Sequence, residues 1–149
     1  MEQHRLHLFF VGAKLLLAYV FALVAIRFSG KPITTGFFDW GTPIQRLLTF
    51  GLIGPLIETY LIQYLFFEYL SKYLPKLAIV FISATVFGLC HIYNTVYVVY
   101  SFFSGLLLAT SYCFRNKSYA FLITFLIHSI YNLLSFLWNE VMIPLYSHS

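Results

Sequence analysis

Charge is what this chain has least of. Only 9% of its 149 residues are Asp, Glu, Lys or Arg, against roughly 25% in a soluble domain, so the sequence cannot clothe a core in a water-facing surface. A soluble globular enzyme is excluded on that ground. A disordered chain is excluded by the 60% hydrophobic content. The formal charge of +4 does not make a nucleic-acid binder, because the basic residues are scattered between apolar runs. Cysteine is nearly missing: Cys90 and Cys113 cannot build a disulfide framework, and no CxxC or paired Cys/His spacing marks a structural zinc site. HExxH, internal repeats and low-complexity segments are also absent. What the chain has instead is long apolar runs and aromatics, with 17 Phe and 12 Tyr. That is the composition of a small polytopic membrane protein, one domain with room for four or five spans.

Five apolar stretches predict an all-α, polytopic transmembrane helical bundle of about five spans. The first runs from about Leu8 to Phe28, interrupted by Lys14 and ending at Arg27. No small-x-small cleavage site follows a short apolar core, so it reads as a retained span. Ser29 to Gln45, with Asp39 and Trp40, reads as a loop or interfacial segment. The second span, about Leu47 to Leu70, would reach roughly 36 Å at 1.5 Å per residue, enough to cross a bilayer. Lys72, Pro75 and Lys76 close it. A third span from Leu77 to about Tyr93 and a fourth from Val96 to Phe114 meet at a turn near Asn94. The fifth follows Arg115, Asn116 and Lys117, and runs from Tyr119 to Leu137 or on towards Met142.

The expected organisation is one membrane domain over residues 1–149. Residues 1–45 form an extra N-terminal span with its interfacial loop, and residues 46–142 form the core. Arg5, Lys72, Lys76, Arg115 and Lys117 fall on one side, and Arg27, Lys31 and Arg46 on the other. Five against three predicts a multi-pass protein of the cell membrane with a cytoplasmic N-terminus.

Most polar side chains fall near an interface. Lys14 can snorkel, while Arg27 and Glu68 lie at span ends. Three ionisable residues do not fit that description: Glu58 at the midpoint of span two, His91 near the end of span three, and His128 in the middle of span five. A carboxylate at the bilayer centre costs at least ~2.5 kcal/mol, so Glu58 is expected to face a partner or a water-filled cavity. Gly51, Gly54 and Pro55 precede it. Pro55 cannot donate to the carbonyl of Gly51, which predicts a kink and a freed acceptor, and the glycines admit another helix closely. Phe87 with His91, and His128 with Asn132, are each spaced to share one helix face.

Such a set has a defined chemistry. A carboxylate and an imidazole can hold and deprotonate a water. A second imidazole and a carboxamide can donate hydrogen bonds to the oxyanion formed at an attacked carbonyl. That division suits peptide-bond hydrolysis without a Ser or Cys nucleophile. Alternatively Glu58, His91 and His128 could bind zinc with one position open for water; the metal-free route is the one favoured. A proton or ion pathway is a third reading, opposed by the near absence of polar residues inside spans one and four.

A Glu-led motif, then FxxxH, then HxxxN, here ETYLIQ from Glu58, FGLCH from Phe87 to His91, and HSIYN from His128 to Asn132, resembles the CAAX protease and bacteriocin-processing (CPBP/Abi) family of intramembrane endopeptidases. The resemblance covers about Gly54 to Leu137. It implies that Glu58 activates the water, His91 helps to hold it, and His128 with Asn132 stabilises the oxyanion, Phe87 packing beside His91. The family's first motif is usually EExxxR; this chain has Thr59 and Gln63 at the second Glu and the Arg, which offer neutral hydrogen bonds where the family has an ion contact. The expected partners are membrane lipid and a peptide or membrane-protein substrate, with no nucleic acid; no cofactor is expected, zinc being the alternative, and a prenylated substrate is not implied. Bacteriocin processing or self-immunity is the implied setting. A non-catalytic immunity or regulatory protein of the same fold is the second reading.

Overall fold

The computed structural model describes residues 2–29, 41–92, 95–114 and 116–137. Asp39, Trp40, the turn around Asn94, Arg115 and the stretch towards Met142 lie outside the described residues. Among the described residues all regular structure is helical: α1 (Glu2–Ser29), α2 (Pro43–Leu70), α3 (Lys76–Leu89), α4 (Thr95–Cys113) and α5 (Lys117–Leu137). The all-α bundle is as expected. Helices α2, α4 and α5 are long and apolar enough to cross a membrane, whereas α3 has 14 residues and the apolar part described in α1 is confined to Phe9–Phe21.

Two boundaries differ from expectation, each for a local reason. Helix α2 begins at Pro43 rather than near Leu47, because Thr42 and Gln45 form a capping box. The Gln45 side chain accepts from Thr42 N–H at 2.8 Å, Gln45 N–H donates back to Thr42 Oγ1, and Pro43 takes the first helical position, where its missing N–H costs nothing. Helix α3 stops at Leu89, so His91 lies just past its end instead of within a span reaching Tyr93. The chain tightens there: Cys90 N–H reaches the carbonyls of Val86 and Gly88, and His91 N–H reaches Gly88 at 3.0 Å.

The bundle is apolar outside and partly polar inside. Leu16, Leu23, Ile57, Leu61, Phe81, Leu126 and Ile130 are exposed, while Thr59, Gln63, Ser83, Ser104, Ser111, Thr124 and His128 are buried. That distribution suits lipid, where small and hydroxyl side chains join helices and large apolar ones face the tails. The expectation that span four holds almost nothing polar is therefore corrected, since α4 buries Ser101, Ser104 and Ser111. Small polar side chains score as apolar enough in a hydropathy run and so escape notice there.

Helices α3 and α4 form the tightest pair. A Cβ added to Gly105 would lie 3.0 Å from both Ala84 Cα and Phe87 Cβ, and one on Gly88 would lie 3.1 Å from the Val98 carbonyl oxygen. A Cβ at either position would force the facing backbone to give by a few tenths of an ångström, so glycine suits the approach. One apolar cluster, Phe67, Ile79, Val80, Ala109, Tyr112 and Ala120, closes one end of the bundle. A second, Phe10, Ile62, Phe87, Leu108 and Ile127, lies beneath the histidines and draws α1 onto the rest. Helix α1 packs on α4 and α5, and α5 in turn lies along α2.

Candidate active site

The backbone of α2 is where the site begins. Two π-helical segments, Thr49–Ile53 and Thr59–Tyr64, flank the α-helical turn Gly54–Glu58. Single wide turns of this kind recur at functional sites, because they redirect carbonyls and side chains. Their effect here is traceable. Gly54 N–H donates to Thr49, five residues back, and Pro55 has no N–H. The two groups that would ordinarily donate to the Phe50 carbonyl are thus taken or missing, and Asn132 Nδ2 of α5 donates to it at 2.9 Å. The acceptor expected at Gly51 is instead at Phe50, because the π turn shifts the register by one residue. Gly51 serves the approach of α5, since a Cβ there would collide with Leu133 Cδ2. Asn132 is thereby pinned by one amide N–H, and its second N–H is not needed for that bond.

Glu58 and His128 meet across the α2–α5 seam. Glu58 Oε2 stands 3.5 Å from His128 Nε2, the carboxylate half-buried and the imidazole buried. On the other side of the ring, Thr59 Oγ1 lies 3.4 Å from His128 Nδ1. A hydroxyl donated to Nδ1 places the proton of a neutral imidazole on Nε2, facing the carboxylate. Thr59, at the position of the family's second Glu, therefore orients His128. Gln63 is fully buried, and neither of its side-chain amide atoms has a hydrogen-bond partner among the described residues.

His91 is held from the end of α3. Its Nδ1 lies 2.7 Å from the Phe87 carbonyl oxygen; a carbonyl only accepts, so Nδ1–H donates and a neutral ring keeps its lone pair on Nε2. Phe87 touches both imidazoles, with ring centroids 5.0 Å from His91 and 5.6 Å from His128 in an edge contact. It is the apolar wedge between them. Tyr97 of α4 covers the far side of His91 at 5.2 Å. Among the described residues no three His, Cys, Asp or Glu side chains converge to hold a metal ion, so no step is routed through zinc.

One residue was misjudged from sequence. Lys14 does not snorkel: it is only 1% exposed, and its Nζ lies 4.4 Å from the centroid of the Tyr131 ring. Helix α1 turns this side chain into the bundle. There the Tyr131 face offers about 2 kcal/mol of cation–π attraction in a desolvated site. Tyr131 is itself fixed by the hydroxyl of Tyr100, which donates to it. Its depth within an apolar run was the available signal, but the partner lies on a helix far away in sequence.

Fold and composition together define a class: a membrane-embedded helical bundle in which a carboxylate and an imidazole, Glu58 and His128, meet between two helices. Within that class, residues 40–134 match the family described as type II CAAX prenyl endopeptidase, Rce1-like. The match spans well over half of the chain, and the chain belongs to this family. Membership bears out the resemblance carried by the Glu58, FGLCH and HSIYN motifs, and α1 lies outside the matched residues. No curated protein and no solved structure matches the chain.

Proposed function

We propose that this member of a membrane-protease family is an intramembrane endopeptidase that hydrolyses a peptide bond with an activated water and no metal. The supporting observation is the Glu58–His128 contact, 3.5 Å across the α2–α5 seam and backed by Thr59. Glu58 is the general base. It takes the proton from a water that His91 Nε2 helps to hold, and the resulting hydroxide attacks the scissile carbonyl. His128 Nε2–H and the second amide N–H of Asn132 donate to the oxyanion, and Glu58 returns the proton to the leaving amine. Phe87 keeps the two imidazoles apart so that each keeps its task. The substrate class is a peptide precursor, a leader peptide or a membrane segment, reached from within the cell membrane, with the N-terminus cytoplasmic. Bacteriocin processing or self-immunity is a setting consistent with it.

The experiment compares peptide termini in membranes expressing the wild-type chain or Glu58→Gln at matched levels. Termini found only with wild type, falling by a factor of about 10² to 10⁴ in the variant, would establish proteolysis and name a substrate. Identical termini, with any host phenotype retained by the variant, would promote a non-catalytic immunity or regulatory protein instead. A chelator added to the same membranes is the control for zinc.

A further inference from the structure

We infer that Gln63 of α2 and Thr124 of α5 hold a buried water between them, an internal site that cross-links the seam one turn beyond the Thr59–His128 contact. The site stands whether or not the seam hydrolyses peptides. The two helices run antiparallel: Phe50 meets Asn132, Thr59 meets His128, and Glu68 meets Lys117. Gln63 is four residues on from Thr59, and Thr124 is four back from His128. The register therefore sets the two at one level, each a turn from that contact. Both side chains are fully buried. Gln63 Nε2 and Oε1 and Thr124 Oγ1 are without a hydrogen-bond partner among the described residues.

Unpartnered polar atoms are costly in an apolar interior, and the more so within a membrane, where bulk water does not reach them. The neighbouring groups do not meet the need. Ser83 of α3 already gives its hydroxyl proton to the Ile62 carbonyl, at 3.1 Å. On the outer side of the seam Tyr60 stacks on Tyr64 at 5.3 Å, and Phe121 meets both rings edge-on, an aromatic cover near the same level. A carboxamide and a hydroxyl bring no charge, so the occupant is neutral. A water suits all three atoms: it accepts from Gln63 Nε2–H and donates to Gln63 Oε1 and Thr124 Oγ1, the roughly three bonds that a buried water makes. The second π turn, Thr59–Tyr64, carries both Thr59 and Gln63. One segment of α2 thus reaches α5 twice, directly at His128 and through water at Thr124.

The test uses the full chain. A crystal structure grown from lipid, at a resolution that shows ordered water, should place one within about 2.7–3.2 Å of both Gln63 and Thr124. A direct bond between the two, a third side chain filling their needs, or an empty gap between them would each overturn the site. Gln63→Met and Thr124→Val keep the shapes and remove the polar groups. Each should lower the melting temperature in detergent by roughly 2–4 °C, the scale of one lost buried hydrogen bond in a chain of this size. The double variant should lose clearly less than the sum, because the first substitution already releases the shared water. A single variant that melts at or above the wild-type temperature would mean dry, unsatisfied groups and would overturn the site, and additive losses would overturn the sharing of one water. Where a variant fails to accumulate, the wild-type density decides alone.

Discussion

The α3–α4 hairpin and the α2–α5 seam are built on opposite principles. In the hairpin, backbone meets backbone: Gly105 sits against Ala84, and Gly88 against Val98 and Phe102. Both helices are regular α-helices. In the seam, α2 is broken twice into π turns, and the two helices are joined by polar contacts, Asn132 to Phe50 and Thr59 and Glu58 to His128. Close apolar packing holds a scaffold in one arrangement, and the seam departs from regular geometry where groups must be aimed. The hairpin also serves the seam directly, because Phe87 at its inner edge separates the two imidazoles.

The sharpest way to break this comparison is Asn132→Ala. If the seam aims chemistry, the variant should lose about 10² to 10³ in the rate of released termini, the scale of one lost oxyanion donor. It should also lower stability by about 1–3 kcal/mol, because the Phe50 carbonyl is left without its amide donor. A stability loss with full activity would make Asn132 a structural clamp only. Melting and terminus profiling on the same preparation separate the two.

The next effect belongs to the hairpin. Gly105→Ala places a Cβ 3.0 Å from a Cα on α3 and the Phe87 Cβ, so one helix must give way. About 2 kcal/mol of lost stability is expected, within the range for overpacking, and detergent melting measures it. A neutral result would mean that α3 and α4 are free to separate and that the scaffold lies elsewhere.

How much of this was legible beforehand depended on range. The helices were visible because an apolar run of 20 or so residues is a local signal. Glu58 and His128 stood out because an ionisable group at mid-span is costly wherever its partner lies. The details that depend on a distant helix were not visible. Lys14 reads as a snorkelling residue until Tyr131 is known to face it, and the freed carbonyl moved from Gly51 to Phe50 only because the turn before Pro55 is π-helical. Two boundaries were missed for short-range reasons that were present in the residues, the Thr42–Gln45 capping box and the tightened turn at Cys90 and His91. At both ends cap chemistry, not hydropathy, sets where the helix starts or stops.

The smallest expected effect gives the finest test, because it sets the two regions against each other with the same substitution. At Gly51, as at Gly105, a new Cβ would overlap a neighbour. The neighbour at Gly51 is the Leu133 side chain, met at its Cδ2 and Cγ, whereas at Gly105 it includes a backbone Cα. A leucine end on the half-buried rim of α5 can change rotamer, and a helix backbone cannot. Alanine also gains roughly 0.8–1 kcal/mol over glycine in helical propensity. Gly51→Ala should therefore melt within about 0.5 kcal/mol of wild type, although its overlap is the closer one. A loss as large as that of Gly105→Ala, relieved when Leu133→Ala is added, would show Leu133 locked in place. The seam would then be packed as rigidly as the hairpin, and its π turns would have to be held by packing rather than by the polar contacts that cross it.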